Sequence, residues 1–206
     1  MTQQVPFNPL DKQNLGKSVA EALLLTPTVP LADLAEFDGV GIYALYYCGA
    51  FPTYQPIADR NKAGAFKLPI YVGSALPEGG RKGVQESAET RQSKKLYSRL
   101  SKHRNSVTEA TNLDLADFHC RFLLVDDIWI PLGESLLISW FSPLWNLKLD
   151  GFGNNDPGRG RYEQLRSTWD TVHPGRAWAL KCRPRTETPE QLLADIANYL
   201  RSAPLP

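Results

Sequence analysis

Gly41-Ile42-Tyr43 and Tyr71-Val72-Gly73 are two tripeptides in which a tyrosine stands among apolar residues beside a glycine. The first belongs to the run 40–47, which follows an Asp38-Gly39 turn and is rich in residues that favour strands. The second ends the run 68–73, which has the same character. We therefore expect both runs to be strands of one sheet.

The connection between these strands spans residues 49–67 and has mixed polarity with interspersed glycine and proline. This composition predicts an insertion in the form of a long loop. Connections of this length inside a compact domain are usually functional.

A basic segment and a third strand come next. Residues 91–104 predict a helix whose buried face is marked by Leu96 and Leu100, which stand four positions apart. Residues 117–125 are rich in strand-forming side chains, and we expect them to extend the sheet.

Residues 131–141 predict an apolar helix. Pro131 suits the first turn of a helix, and Pro143 cannot continue one. The apolar stripe of this helix consists of Leu136, Leu137 and Trp140.

Helices are also expected near both ends of the chain. Ser18 and Glu21 have the spacing of a capping box, which predicts a short helix over 18–25, and a second short helical piece should reach Ala35. The segment 150–161 is glycine-rich and predicts a flexible loop. The motif at 188–191 predicts the start of a final amphipathic helix that ends near residue 199.

This order of elements predicts an α+β fold with mixed α/β connections. We expect a small, three-stranded, mainly antiparallel sheet flanked by helices. The length favours one domain over 1–206, with a core at about 38–150 and extensions at 1–37 and 151–206. The first 37 and the last 24 residues contain no interpretable functional motif.

The composition is that of a soluble globular protein, with 42% hydrophobic and 22% charged residues. No apolar run approaches the ~20 residues that span a bilayer, and no secretion signal opens the chain, so we expect a cytoplasmic location without membrane association. Three widely separated cysteines (Cys48, Cys120 and Cys182) suggest reduced thiols rather than disulfides or a zinc site.

The net charge of +1 gives no overall signature of nucleic-acid binding. The segment 91–104, however, contains basic residues and no acidic ones, which suits contact with a phosphate backbone. Without other supporting features, a solvated basic helix face explains the same charges. The candidate DNA-contacting residues lie in or near this segment and in the loop 150–161: Lys94, Lys95, Lys102, Arg104, Arg159 and Arg161.

Further residues have side chains suited to phosphodiester chemistry. Glu134 is a lone carboxylate near the start of an apolar helix and suits one Mg²⁺ that completes its shell with water and phosphate oxygens, although an acidic residue also favours a helix N-terminus for electrostatic reasons alone. Arg99 and His103 share a helix face. Arg99 suits a phosphate and His103 suits a hydroxyl or a water, while a surface cation and a half-exposed helix residue are the plain alternatives.

Tyr43 and Tyr71 are either ordinary core aromatics of a sheet or groups that act on a reacting water. A tyrosine has a pKa of about 10 in water, so a tyrosine that acts as a general base needs positive charge nearby to favour its phenolate. A depression of two to three pKa units corresponds to roughly 3 to 4 kcal/mol. Arg99, a protonated His103 and a metal ion are the candidate sources of that charge.

The two tripeptides, Arg99, Glu134 and Asn146, in this order, resemble the signature elements of the GIY-YIG nuclease superfamily, with valine in place of one isoleucine. Longer blocks resemble more narrowly the type II restriction endonucleases of this superfamily that cut CCGCGG. These blocks include His103, Asn112-Leu-Asp-Leu, Asp117-Phe118, Cys120-Arg-Phe122, Pro143-Leu-Trp-Asn146, Asp150-Gly-Phe-Gly-Asn154 and His173-Pro-Gly-Arg176. The similarity extends over about residues 38–182.

The resemblance implies Mg²⁺-dependent hydrolysis of double-stranded DNA that leaves a 5′-phosphate and a 3′-hydroxyl, with Mn²⁺ as a substitute metal. Tyr43 would activate the water with help from His103, and Tyr71 would orient the water or the phosphate. The other implied roles are transition-state stabilisation by Arg99, metal binding by Glu134 and bracing of the site by Asn146, for which capping of the preceding helix is the alternative.

A palindromic target predicts a homodimer with one active site per strand, and a restriction enzyme implies a cognate DNA methyltransferase. The insertion 49–67 and the two loop arginines are candidates for reading bases. Three other functions remain open. They are a DNA-binding module that has lost catalysis, a structure-selective nuclease of repair or recombination, and an antirestriction or toxin role.

Overall fold

The computed structural model describes Asn8 and residues 10–77 and 93–202. Its strands in these ranges are β1 (Val29–Pro30), β2 (Gly41–Tyr47), β3 (Tyr71–Ala75) and β4 (Phe118–Leu124). They form one antiparallel sheet in the order β1-β4-β2-β3. The predicted α+β class is confirmed, while the sheet has four strands instead of three.

The additional strand, β1, lies at the sheet edge and pairs only with Cys120 and His119 of β4. A strand of two residues has no alternation of polarity that a sequence pattern can detect. Its Pro30 cannot donate a ladder hydrogen bond, which an edge strand tolerates.

Helices cover both faces of the sheet. In chain order they are α1 (Lys12–Leu25), α2 (Gln55–Asn61), α3 (Lys95–Glu109), α4 (Ile130–Phe141), α5 (Leu144–Leu147), α6 (Thr168–Val172) and α7 (Pro189–Ser202). None of the helices in the described ranges combines the length and the apolar composition needed to cross a membrane. The three cysteines are free thiols.

The central strand β2 is buried along its whole length because its side chains enter two different cores. Tyr43, Leu45 and Tyr47 belong to the larger core, which also contains Trp169 and Ile196 from the segment 151–206. The alternate residues of β2 belong to a smaller core under α1 and α4. The segment after residue 150 thus packs on the same sheet face as Tyr43.

The first helix begins earlier than predicted, at Lys12, because the side chain of Asp11 caps it by accepting a hydrogen bond from the amide of Gln13 at 2.8 Å. The capping box predicted at Ser18 is therefore wrong. Gly16 lies inside the helix, where it allows close packing on α4, since a Cβ there would lie 3.2 Å from Leu132 Cγ. The helical piece expected to reach Ala35 is only a 3₁₀ turn, Leu31–Asp33.

The insertion 49–67 is not a simple loop, because it contains α2. The buried side chain of Asn61 donates hydrogen bonds to the carbonyls of Tyr47 and Leu68, at 2.9 and 2.8 Å, and accepts one from the amide of Leu68 at 2.9 Å. These bonds attach the insertion to the sheet. Leu68 therefore bonds to Asn61, and β3 both begins and ends later than predicted, at Tyr71 and Ala75.

The other predicted helices agree with the structure apart from small shifts at their ends. Leu96 and Leu100 of α3 are fully buried, as expected from their spacing. Helix α4 ends at Phe141 and is followed by its C-cap residue, Ser142, which has a left-handed φ of 43°. Thr188 and Gln191 exchange the predicted capping hydrogen bonds at the start of α7.

Candidate active site

The centre of the site is a hydrogen bond between β2 and α3. Tyr43 is fully buried, and its hydroxyl lies 2.5 Å from Nε2 of His103, whose side chain is also buried. The alternation of β2 points Tyr43 toward α3, and His103 lies on the same helix face as Leu96, Leu100 and Val107. The two side chains therefore meet inside the larger core.

Arg99 lies one helical turn before His103, and its guanidinium is within hydrogen-bonding reach of the hydroxyls of Tyr43 and Tyr71. The ring of Tyr71 lies 6.2 Å from that of Tyr43 and 5.2 Å from that of His103. Tyr71, unlike Tyr43, is partly exposed. The charge of one arginine therefore acts on two phenols at the border between the core and the solvent.

Antiparallel pairing of β2 and β3 explains why a glycine follows Tyr71 by two positions. Gly73 is the partner of Tyr43 in the sheet register. A Cβ at position 73 would lie 2.3 Å from the Tyr43 hydroxyl oxygen, so only glycine leaves that hydroxyl room in this position. The two tripeptides thus depend on each other sterically.

Glu134 reaches the site from α4. It is partly buried, and its Oε2 accepts a hydrogen bond of 2.7 Å from the hydroxyl of Ser74 on β3. Burial raises the pKa of Glu134, while the Ser74 hydrogen bond and the positive charge of Arg99 oppose that rise. Sequence reasoning missed Ser74, although its place directly after Gly73 was a usable signal.

The protonation states follow from burial. Burial, with a smaller contribution from Tyr71, raises the pKa of Tyr43 well above its usual value, and the charge of Arg99 is not enough to reverse this. Burial also lowers the pKa of His103 well below its usual value, with further lowering by Arg99, Arg176 and Lys102. Tyr43 therefore keeps its proton and donates it to a neutral His103. The depressed pKa that a general base requires is not present in the free chain.

Asn146 lies on α5 and does not cap α4. Its amide pairs with the backbone of Val72 in both directions, accepting from the Val72 N–H and donating to its carbonyl, each at 2.8 Å. These bonds occupy the outer edge of β3 beside Tyr71. The geometry is that of a brace for the strand, in line with the role that the resemblance implied.

The basic candidates are divided among several surfaces. Lys95 and Lys102 lie four and three positions from Arg99, so they share its side of α3, whereas Arg104 is rotated by roughly 140° from Arg99. Lys94 forms an exposed ion pair with Glu36. Arg159 and Arg161 are exposed on a 3₁₀ turn, Arg159–Arg161. Arg91 lies outside the described residues.

The structure adds a further neighbour of the site, Phe152, which sequence reasoning did not single out. Its ring stacks on the ring of His103 with centroids 4.4 Å apart and an interplanar angle of 15°. The signal was available, because Phe152 lies in the block 150–154 on which part of the family resemblance rested.

The site thus combines an arginine and two tyrosines around a buried histidine with a carboxylate that reaches it from α4. The chain matches the family model of the Eco29kI GIY-YIG domain over residues 35–200, most of its length. The protein therefore belongs to this family of restriction endonucleases and is a nuclease that acts on DNA. No curated protein matches the chain.

Proposed function

We propose that this protein is a type II restriction endonuclease that hydrolyses double-stranded DNA at the palindrome CCGCGG. Two observations support this target. Eco29kI, whose domain defines the matching family model, recognises CCGCGG. The chain also carries the blocks 112–122, 143–154 and 173–176 on which its resemblance to nucleases of that specificity rests.

The observation that carries the catalytic proposal is the 2.5 Å hydrogen bond between Tyr43 and a neutral His103. Tyr43 removes a proton from the attacking water while its own proton passes to Nε2 of His103. Because Tyr43 gives its proton to His103 while it receives one from the water, a free phenolate does not have to form. A phenolate in this buried site would be costly in free energy. His103 is in this mechanism the final acceptor of the proton.

Arg99 and Tyr71 act on the phosphate. The guanidinium of Arg99 lies beside both phenols and is only partly buried, so it stabilises negative charge as it develops on the phosphoryl oxygens. Tyr71 orients the water or the phosphate from the partly exposed edge of the site. Asn146 holds β3, and thereby Tyr71, in position through the Val72 backbone.

The oxygen donors at the site fit a magnesium ion. Glu134 offers a carboxylate and Ser74 a hydroxyl, and the described part of the chain contains no cluster of three or more His, Cys, Asp or Glu side chains. Mg²⁺ is commonly held by one or two carboxylates together with water and substrate phosphates, so Glu134 is a sufficient protein anchor. When bound, Mg²⁺ or Mn²⁺ neutralises charge on the phosphate and the leaving oxygen.

The palindromic site implies a homodimer on DNA, with one active site for each strand. Lys95 and Lys102, on the side of α3 that carries Arg99, are the first candidates for backbone contacts, with Lys94, Arg104, Arg159 and Arg161 as further ones. A cognate methyltransferase would protect the host DNA, and the nuclease would meet foreign DNA in the cytoplasm.

Digestion of a plasmid of known sequence tests the proposal. With Mg²⁺, the purified protein should give discrete fragments whose ends map to CCGCGG. Glu134→Gln should abolish cleavage while DNA binding in a gel-shift assay persists, because the amide keeps the shape but not the charge of the carboxylate. Random nicking by the wild type would contradict site specificity, and a Glu134→Gln variant with near-normal activity would contradict the metal assignment.

A further inference from the structure

Arg176 is a buried arginine that belongs to no part of the proposed mechanism. Its side chain is only 2% exposed and forms a two-pronged ion pair with Asp170, with Nε to Oδ1 at 2.6 Å and Nη2 to Oδ2 at 2.7 Å. The guanidinium lies between the rings of Trp169 and Trp178, at 4.6 and 4.7 Å from their centroids. Its position and orientation are therefore fixed on all sides.

The remaining donors of Arg176 hold one short segment of backbone, apart from a longer hydrogen bond of 3.4 Å from Nη1 to the hydroxyl of Ser106 on α3. Nη2 donates to the carbonyl of Gly151 at 2.8 Å, and Nη1 donates to those of Phe152 at 3.1 Å and Asn154 at 3.3 Å. We refer to residues 151–154 as the covering segment. A single planar guanidinium thus connects the C-terminal part of the domain to three carbonyls of this segment.

The covering segment lies directly on the proposed catalytic residues. Phe152 stacks on His103 and places its ring edge against Tyr71, with centroids 5.1 Å apart. A Cβ at Gly153 would lie 2.9 Å from the Tyr71 hydroxyl and 3.1 Å from Nη2 of Arg99. The segment therefore packs against the three proposed catalytic side chains of His103, Tyr71 and Arg99. A side chain at position 153 would displace Tyr71 or Arg99.

We propose that Arg176 and Asp170 are positioning residues that hold the covering segment over the active site. The role rests on the function proposed above. The fork of Arg176 fixes the segment, the segment excludes water from His103, and it limits the positions open to Tyr71 and Arg99. Lysine at position 176 would keep the positive charge but has no planar fork, so it cannot hold three carbonyls and Asp170 together.

Two substitutions test the connection from its two ends. Arg176→Lys loosens the segment and keeps the charge, while Gly153→Ala leaves the buried ion pair intact and forces a shift at the contact with Tyr71 and Arg99. Their matched controls are Arg166→Lys, at an arginine that donates to the carbonyls of Ala179 and Leu180 instead, and Gly160→Ala, where a Cβ meets nothing within 4 Å.

In single-turnover cleavage of a CCGCGG duplex at saturating enzyme, both test variants should be slower by about tenfold to a hundredfold, because small displacements of catalytic groups have effects of that size. DNA affinity should stay near the wild-type value. The two controls should cut at the wild-type rate. An equal loss of rate in Arg166→Lys would assign the effect to general loosening of the C-terminal part and would overturn the proposal.

A second measurement does not depend on cleavage. The chain has three histidines, so the pKa of His103 can be followed by NMR. The charged and titratable groups around it are Tyr43, Tyr71, Arg99, Lys102 and Arg176, and Arg176→Lys changes none of their charges. If the segment moves away, water reaches His103 and its pKa rises toward the ordinary value, while His119 serves as the internal control.

A His103 pKa in Arg176→Lys equal to that of the wild type would overturn the positioning role, whether or not the protein cuts DNA. If the His103 pKa is raised in Arg176→Lys but the wild type itself does not cleave DNA, the positioning role is supported and the proposed function is contradicted. If Arg176→Lys does not fold, Gly153→Ala takes its place under the same titration and the same criterion.

Discussion

The protein contains two tyrosine–histidine pairs that are alike in bonding and different in surroundings. Tyr43 and His103 are joined at 2.5 Å, and Tyr54 and His173 at 2.6 Å. All four side chains are buried, and burial raises the pKa of each tyrosine and lowers that of each histidine.

The surroundings separate the two pairs. The first pair lies against Arg99, and Tyr43 also feels the charge of Glu134. The second pair has neutral partners, because His173 Nδ1 lies 2.8 Å from Asn112 Oδ1 and Trp145 Nε1 donates to the Tyr54 hydroxyl at 3.1 Å. A buried tyrosine–histidine hydrogen bond is therefore not by itself evidence of a catalytic role. The charges and the partly exposed Tyr71 beside the first pair are what support its proposed catalytic role.

The largest expected effect distinguishes the two pairs by activity. Tyr43→Phe should slow single-turnover cleavage by roughly 10²- to 10⁴-fold, the range for loss of a general base. Tyr54→Phe removes the same atom from the other pair and should cut at close to the wild-type rate. Equal losses in the two variants would mean that the first pair has no special chemical role.

The unfolding free energy should show the opposite order, with a larger loss in Tyr54→Phe than in Tyr43→Phe. The Tyr54 hydroxyl is bonded to two buried groups, His173 Nε2 and Trp145 Nε1, and Tyr54→Phe leaves both without this partner. The cost of such unsatisfied groups is about 1–3 kcal/mol of unfolding free energy. Tyr43→Phe should cost less, because His103 is the only fully buried group that loses a partner, while the half-buried Arg99 beside the Tyr43 hydroxyl can still be solvated. Urea denaturation of the two variants measures the difference, and a larger loss for Tyr43→Phe would reverse the assignment of the structural pair.

The sequence was sufficient to single out side chains that lie close together in the structure, because their order along the chain resembles that of one nuclease family. The ordered set from Tyr43 to Asn146 pointed to one phosphate-cleaving arrangement, and the structure brings these residues together. The strands β2 and β4 were also predictable, since a run of apolar and β-branched residues has few other places to go in a compact domain.

What escaped prediction depends on contacts between distant parts of the chain. The start of α1 was missed because the spacing of Ser18 and Glu21 indicated a later cap than Asp11, and the Gly16 inside the helix is explained by packing on Leu132 of α4. The helix in the insertion is attached by hydrogen bonds from Asn61 to the backbone of Tyr47 in β2 and of Leu68, which its own spacing does not reveal. An arginine and an aspartate six residues apart are usually expected to be exposed. Nothing in the sequence around Arg176 and Asp170 shows that they are buried beneath the covering segment.

The smallest expected effect concerns pH and the second pair. Burial lowers the pKa of His173 to about 3 from its ordinary value of 6.5. Below pH 6.5 the unfolded chain therefore takes up a proton that the folded chain does not, so the unfolding free energy falls as the pH falls from about 6.5 toward 3. One such histidine changes the slope by up to about 1.4 kcal/mol per pH unit.

His173→Gln removes that proton from the unfolded state, whereas His103 continues to contribute in the same direction. Unfolding free energies measured between pH 7 and 5 should then fall less steeply in the variant than in the wild type, by up to that amount per pH unit. The pH dependence of cleavage should stay that of the wild type, because the first pair is unchanged. If the unfolding free energy of the variant falls with pH as steeply as that of the wild type, His173 is already protonated in the folded protein. The second pair would then carry a buried positive charge, unlike the first pair.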